Sequence, residues 1–299
     1  MPSSRSIALP FAAACLGIAS YTAMDAVMKG LSLSIGAYNA TFWRTVAGSV
    51  LGGALFFGRG LPLPPRSTLK LHFLRGGIVS VMAILWFWGI ARVPLAEAIA
   101  LSFIAPLIAL YLASLILGEN IRPQAVLGSV LGLAGVSVML ATRAGGHYGA
   151  DALTGAGAIL CSAVLYAFNL VLMRKQALVA SPVEVGFFQN LTTALFLLLA
   201  APFFAVVPAI EHAPPILLAA SLALLSLLVL SWAYARAEAQ SLLVVEYTGF
   251  GWGAFFGWLV FGEAIRPAVL AGTALIIFGC YIAVRAPRSP KEMALEANL

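Results

Sequence analysis

At 299 residues, 62% of them hydrophobic and only 9% charged, the chain carries more apolar side chain than one water-soluble core of that length can bury. The mean hydropathy of +1.01 says the same. A soluble enzyme or binding domain is excluded, and the net charge of +6 is accounted for by topology and anionic lipid headgroups without nucleic acid.

The apolar runs have helical length, about 20 residues per span, and lack the period-two alternation of a membrane barrel. The chain therefore reads as an all-α integral membrane protein. In chain order the predicted spans are Ile7–Leu31, Gly36–Phe57, Lys70–Ile90, Val93–Leu117, Gln124–Thr142, Ala152–Arg174, Val183–Val207, Pro214–Tyr234, Glu238–Phe261 and Pro267–Arg285, ten transmembrane helices in all. The first of them is longer than a signal-peptide core and recurs in an internal repeat, so it is expected to stay in the mature protein. Cys15, Cys161 and Cys280 fall inside spans with no metal-ligand spacing and read as packing residues.

Lys and Arg orient the chain. Arg5, Arg59, Arg66, Lys70, Arg122, Arg174, Lys175, Arg236, Arg285, Arg288 and Lys291 collect on one side, against Lys29, Arg92, Arg143 and Arg266 on the other. This predicts a multi-pass protein of the cytoplasmic membrane with both termini cytoplasmic, ending in a disordered tail over residues 287–299.

The hexapeptide "GENIRP" at Gly118–Pro123 returns 144 residues later as "GEAIRP" at Gly262–Pro267. At the same offset Trp88 matches Trp232 and Ala91-Arg92 match Ala235-Arg236. With a one-residue shift Tyr21 matches Tyr166, Met28-Lys29 match Met173-Arg174, Phe42 matches Phe187 and Arg44 matches Gln189. Residues 1–145 and 146–286 thus read as two five-helix copies. An odd number of spans per copy turns the second upside down, which gives two inverted repeats. Each hexapeptide reads as a tight turn, with Gly in the left-handed conformation closing one helix and Pro opening the next.

These paired "GE-x-I-R-P" turns, the Gly-spaced helices "GSVLGLAG" and "GTALIIFG" that follow them, and "FIAPLIALYLASLILGE" with Pro106 together resemble the EamA-type carriers of the drug/metabolite transporter superfamily over nearly the full length. The resemblance implies export or exchange of amino acids, nucleotides, sugars or drugs by alternating access around a cavity between the halves.

Charges at membrane depth cost about 2.5–3.5 kcal/mol each, so they are the first candidates for function. Tyr21, Asp25 and Lys29 follow at i, i+4 and i+8 on one face, where Asp25 is suited either to a cavity role or to a neutralising pair with Lys29. Arg44 is suited equally to a substrate carboxylate and to an internal pair with Asp25 or Glu97. Glu246 and Tyr247 sit beside the small-residue stripe Gly249, Gly253 and Gly257. Glu97 opens its helix and reads as structural. Trp43, Trp86, Tyr166 and Phe188, with Asn39 and Asn169, complete an expected apolar chamber with a few polar anchors.

That chemistry points to a secondary transporter of a small amphipathic metabolite, an aromatic amino acid being the leading case; drug, nucleotide and sugar carriers are the alternatives within the fold. No P-loop occurs, so no ATP site of that kind, no cofactor and no metal are expected, and Asp25 and Glu246 are the proton-coupling candidates. His72, His147 and His212 have no metal-ligand spacing, which sets a membrane enzyme far behind, and a channel is the other remote alternative. The expected partners are a small-molecule substrate, the lipid bilayer and protons. A monomer suffices for two halves in one chain, with a dimer as the alternative.

Overall fold

The structure is a computed structural model and describes residues 5–105, 108–109, 111–112, 127, 130–131, 134–135, 137–138, 150–236, 245 and 248–284. Every regular element among them is helical: α1 (Arg5–Ile35), α2 (Ala37–Gly58), α3 (Arg66–Ile90), α4 (Leu95–Ser102), α5 (Ala150–Ala177), α6 (Pro182–Leu198), α7 (Ala213–Tyr234), α8 (Thr248–Phe261) and α9 (Pro267–Val284), with single turns at Ala201–Phe204 and Ile210–His212. Four are long and apolar enough to cross a membrane, over Leu9–Ile35, Arg66–Ile90, Asp151–Ala177 and Ile210–Tyr234. The chain is an all-helical membrane protein. The expected span at Gln124–Thr142 lies mostly outside the described residues, as do "GENIRP" and Pro106.

Helix ends follow local chemistry. Ser181 caps α6 by accepting the Glu184 N–H at 3.2 Å, and Pro182 follows at the first helical position, where a missing N–H costs nothing. The span expected to run from Val183 to Val207 stops instead at Leu198. Pro202 has no N–H for the Leu198 carbonyl and its ring crowds that oxygen, so the chain turns out into an exposed stretch. At the far turn Gly262 has φ +64°; its N–H bonds Trp258 O at 3.0 Å and the Glu263 N–H bonds Gly257 O at 3.1 Å. This is a left-handed glycine C-cap, with the Gly262 N–H closing on the carbonyl four residues back, and Pro267 opens α9.

One capping device occurs twice. Arg92 Nη1 donates to Trp88 O at 3.0 Å with its guanidinium 3.6 Å from the Trp88 ring centre; Arg236 does the same at Trp232, at 3.2 Å and 4.4 Å. In each case the arginine supplies a cation to the last carbonyls of a helix while stacking on an indole.

The helices pair across the chain: α1 lies on α7 and α8, α3 on α5, α2 on α6, and α4 on α8. α2 and α6 run antiparallel, since Tyr38 at the start of α2 donates to Leu197 O at the end of α6, while Phe56 near the end of α2 stacks on Phe187 near the start of α6. The approach is close because α2 is small on that side. A Cβ on Gly52 would lie 3.0 Å from the Phe187 Cα.

Candidate functional site

Where these pairs meet they leave a cavity of about 150 Å³ walled by residues of α1 to α8. α1 contributes Tyr21 and Asp25 one turn apart, and α2 contributes Arg44 and Thr45. One face of α3 supplies Arg75, Met82, Trp86 and Phe87, at the helical spacing that keeps them in one stripe. α4 adds Ser102, next to Phe103; α5 adds Ser162, Tyr166 and Asn169; α6 adds Gln189, Asn190 and Thr193.

Three charges sit in this wall. Asp25 is 3% exposed and accepts a hydrogen bond from Trp86 Nε1 at 3.0 Å. Arg44 is 7% exposed, its guanidinium is 5.9 Å from the Phe87 ring centre, and its Nε has no hydrogen-bond partner. Among the described residues Asp25 and Arg44 form no ion pair with each other. Arg75 is 2% exposed and better supported: its Nε donates to Asn169 Oδ1 at 2.7 Å and its Nη1 to Gln176 Oε1. Gln176 Nε2 in turn lies 2.6 Å from His72 Nδ1, and His72 Nε2 lies 3.0 Å from Glu184 Oε1. This chain of contacts ties α3 to α5 and α6 and satisfies one buried cation with amide oxygens.

Of the residues singled out from sequence, Tyr21, Asp25, Arg44, Trp86, Tyr166 and Asn169 come together in the cavity wall. Asn39, Trp43 and Phe188 are placed elsewhere. Asn39 Oδ1 accepts the Val206 N–H at 2.8 Å and Trp43 Nε1 donates to Val206 O at 2.8 Å, so the two clasp the exposed stretch that follows α6. Phe188 stacks on the His72 ring, with centres 4.8 Å apart. Glu246 and Tyr247 lie outside the described residues. Glu97 is buried in the first turn of α4. Lys29 does not pair with Asp25 but with Glu263.

Arg75, Ser102, Ser162 and Asn190 escaped sequence reading. Arg75 lies inside the expected span but near its start; α3 begins at Arg66, four residues earlier, which places Arg75 about 14 Å into the helix. The serines and Asn190 carry no pattern that separates a cavity wall from a helix contact.

A chamber with opposed buried charges and aromatic walls, set among membrane-spanning helices, is the apparatus of a small-molecule carrier. The model of the EamA-like transporter family matches the chain twice, over residues 9–141 and 153–285, and the chain belongs to that family. It is therefore a multi-pass membrane transporter and not an enzyme. It is similar to the pseudopaline exporter CntI of Pseudomonas aeruginosa, with 28% identity over 89% of this chain and 93% of that protein. It is also similar to an S-adenosylmethionine uptake transporter of Rickettsia bellii, with 23% identity over 88% of each. The aromatic amino acid exporter YddG of Ancylobacter novellus is 33% identical over a shorter part, 34% of this chain and 36% of that one. A solved crystal structure shares the fold at a TM-score of 0.63 with 22% identity, covering 94% of this chain and 96% of its own.

Proposed function

We propose that this transporter carries a zwitterionic, ring-bearing metabolite, with an aromatic amino acid as the leading case, outward across the cytoplasmic membrane. The observation that carries the reading is the pair Asp25 and Arg44: opposite charges, both buried, in one cavity wall and without an ion-pair contact between them. Asp25 faces the amine of such a cargo and Arg44, with its unpartnered Nε, faces the carboxylate. Trp86, Phe87 and Tyr166 supply apolar faces for the ring. The partial likeness to an aromatic amino acid exporter points the same way.

Transport proceeds in this reading by alternating access, the two halves, residues 1–145 and 146–286, rocking about the cavity with both termini in the cytoplasm. Inversion of the halves is supported by α2 and α6, which the repeat makes equivalent and which run antiparallel side by side. Because Arg44 is matched by Gln189, both in the cavity wall, a cargo is held asymmetrically between them.

A thermal-shift screen of the purified protein against amino acids, their decarboxylated amines and their deaminated acids tests the cargo. A ligand that binds only the folded state raises its melting temperature. Aromatic amino acids are expected to stabilise, with neither the amine nor the acid doing so alone. Stabilisation by amines and acids equal to that by the zwitterion overturns the assignment.

A further inference from the structure

Past the cavity, in the direction in which α1 continues beyond Asp25, three elements converge. Lys29 lies one helical turn after Asp25 and is only 5% exposed. Its Nζ donates to Val93 O at 2.7 Å, in the connection between α3 and α4, and forms an ion pair with Glu263 in the turn between α8 and α9. The second carboxylate oxygen of Glu263 accepts the Leu95 N–H at 2.7 Å, one of the donors a helix start leaves without a partner. Gly257 makes room for this: a Cβ there would lie 2.7 Å from Glu263 Oε2 and 3.6 Å from Leu95 Cβ. The Phe261 ring covers Lys29, its centre 5.1 Å from Nζ.

Both charges are thus paired and hydrogen-bonded, Lys29 buried and Glu263 partly so, and they come from different halves of the chain. Lys29 and Leu95 belong to the first matched region of the family and Glu263 to the second. The geometry points to Lys29 and Glu263 as a latch that seals this end of the cavity, formed while the end is closed and broken each time cargo passes through it. Anything held between Asp25 and Arg44 can leave in this direction only if α1, the start of α4 and the α8–α9 turn separate. When they do, water enters and hydrates both charges, so the closed arrangement is paired and largely shielded and the open one wet and unpaired. A half-open arrangement would leave buried charges with neither partner nor water, which makes the end two-state. The latch rests on reading the central cavity as the cargo chamber; it does not depend on which cargo is carried.

The test needs no cargo. Ser102 lines the cavity, so Ser102→Cys, in a chain with Cys15, Cys161 and Cys280 changed to Ala, reports access of a membrane-impermeant maleimide. The reagent is applied to intact cells and to inverted vesicles. Glu263→Gln and Lys29→Met are each expected to speed labelling about tenfold from one face only, the lower part of the usual range for coupled equilibria. The double variant is expected to label no faster than the quicker single, because one latch cannot be broken twice. If Lys29→Met does not reach the membrane, Lys29→Gln takes its place. Unchanged, measurable labelling in both single variants overturns the latch, and so do effects that multiply in the double variant. A reporter silent from both faces in every variant overturns the chamber reading and the latch with it.

Discussion

Trp86 Nε1 donates to Asp25 Oδ1 at 3.0 Å, so the carboxylate of α1 is aimed across the cavity at an indole from α3 and turned away from Lys29, its neighbour one turn on. This bond aligns a group that costs several kcal/mol to bury. Trp86→Phe keeps the ring and removes the donor. It is expected to raise the apparent transport constant about fivefold, the worth of one hydrogen bond of about 1 kcal/mol to a poised carboxylate. Initial-rate uptake into proteoliposomes measures it, and an unchanged constant would separate Trp86 from the cargo.

Arg44 offers the stronger effect because its buried Nε has no hydrogen-bond partner among the described residues. Arg44→Lys keeps the charge but loses the planar fork that grips a carboxylate by two bonds. Transport of a zwitterion is expected to weaken about tenfold, with amines lacking the carboxylate unaffected. Equal losses for both compounds would assign Arg44 to packing.

Asp25 is the described candidate for proton coupling. Tyr21 from its own helix and Arg44 from α2 share its cavity, and Glu246 lies outside the described residues. Asp25→Asn is expected to leave uptake indifferent to an imposed proton gradient. A variant that still responds to the gradient as the parent does would remove Asp25 from coupling.

Asn39 and Trp43 hold Val206 between them through one N–H acceptor and one indole donor, on a segment where Phe203 is 82% exposed and Val207 80%. Asn39→Ala with Trp43→Phe is expected to speed proteolytic cutting near residues 199–209 while leaving the transport constant within about twofold of the parent. A large rise in that constant would return these residues to the cargo site.

The repeat makes Arg174 and Glu119 the counterparts of Lys29 and Glu263, although Glu119 and the Arg174 side chain lie outside what the structure describes. From that correspondence, Glu119→Gln is expected to speed labelling of the Ser102→Cys reporter from the face opposite to the one affected by Glu263→Gln. Acceleration from the same face would rule out a second latch related to the first by inversion.

Hydropathy and the 144-residue echo were enough to read a helical membrane carrier, because lipid admits few backbone solutions and a duplicated turn repeats its glycine and proline wherever it lies. Asp25 and Arg44 were equally legible, since a charge inside an apolar run is expensive and therefore conspicuous. Direction in space was not. Asn39 and Trp43 have the chemistry of a binding wall, and only the break at Pro202, which brings Val206 back over α2, turns them into a clasp. Arg75 stood too near an expected helix start to count as buried until α3 was seen to begin at Arg66. Lys29 could be given a partner only from its own helix by counting residues in turns. Its actual partner, Glu263, lies 234 residues away, and a contact of that separation is set by how the two halves pack and not by any local pattern.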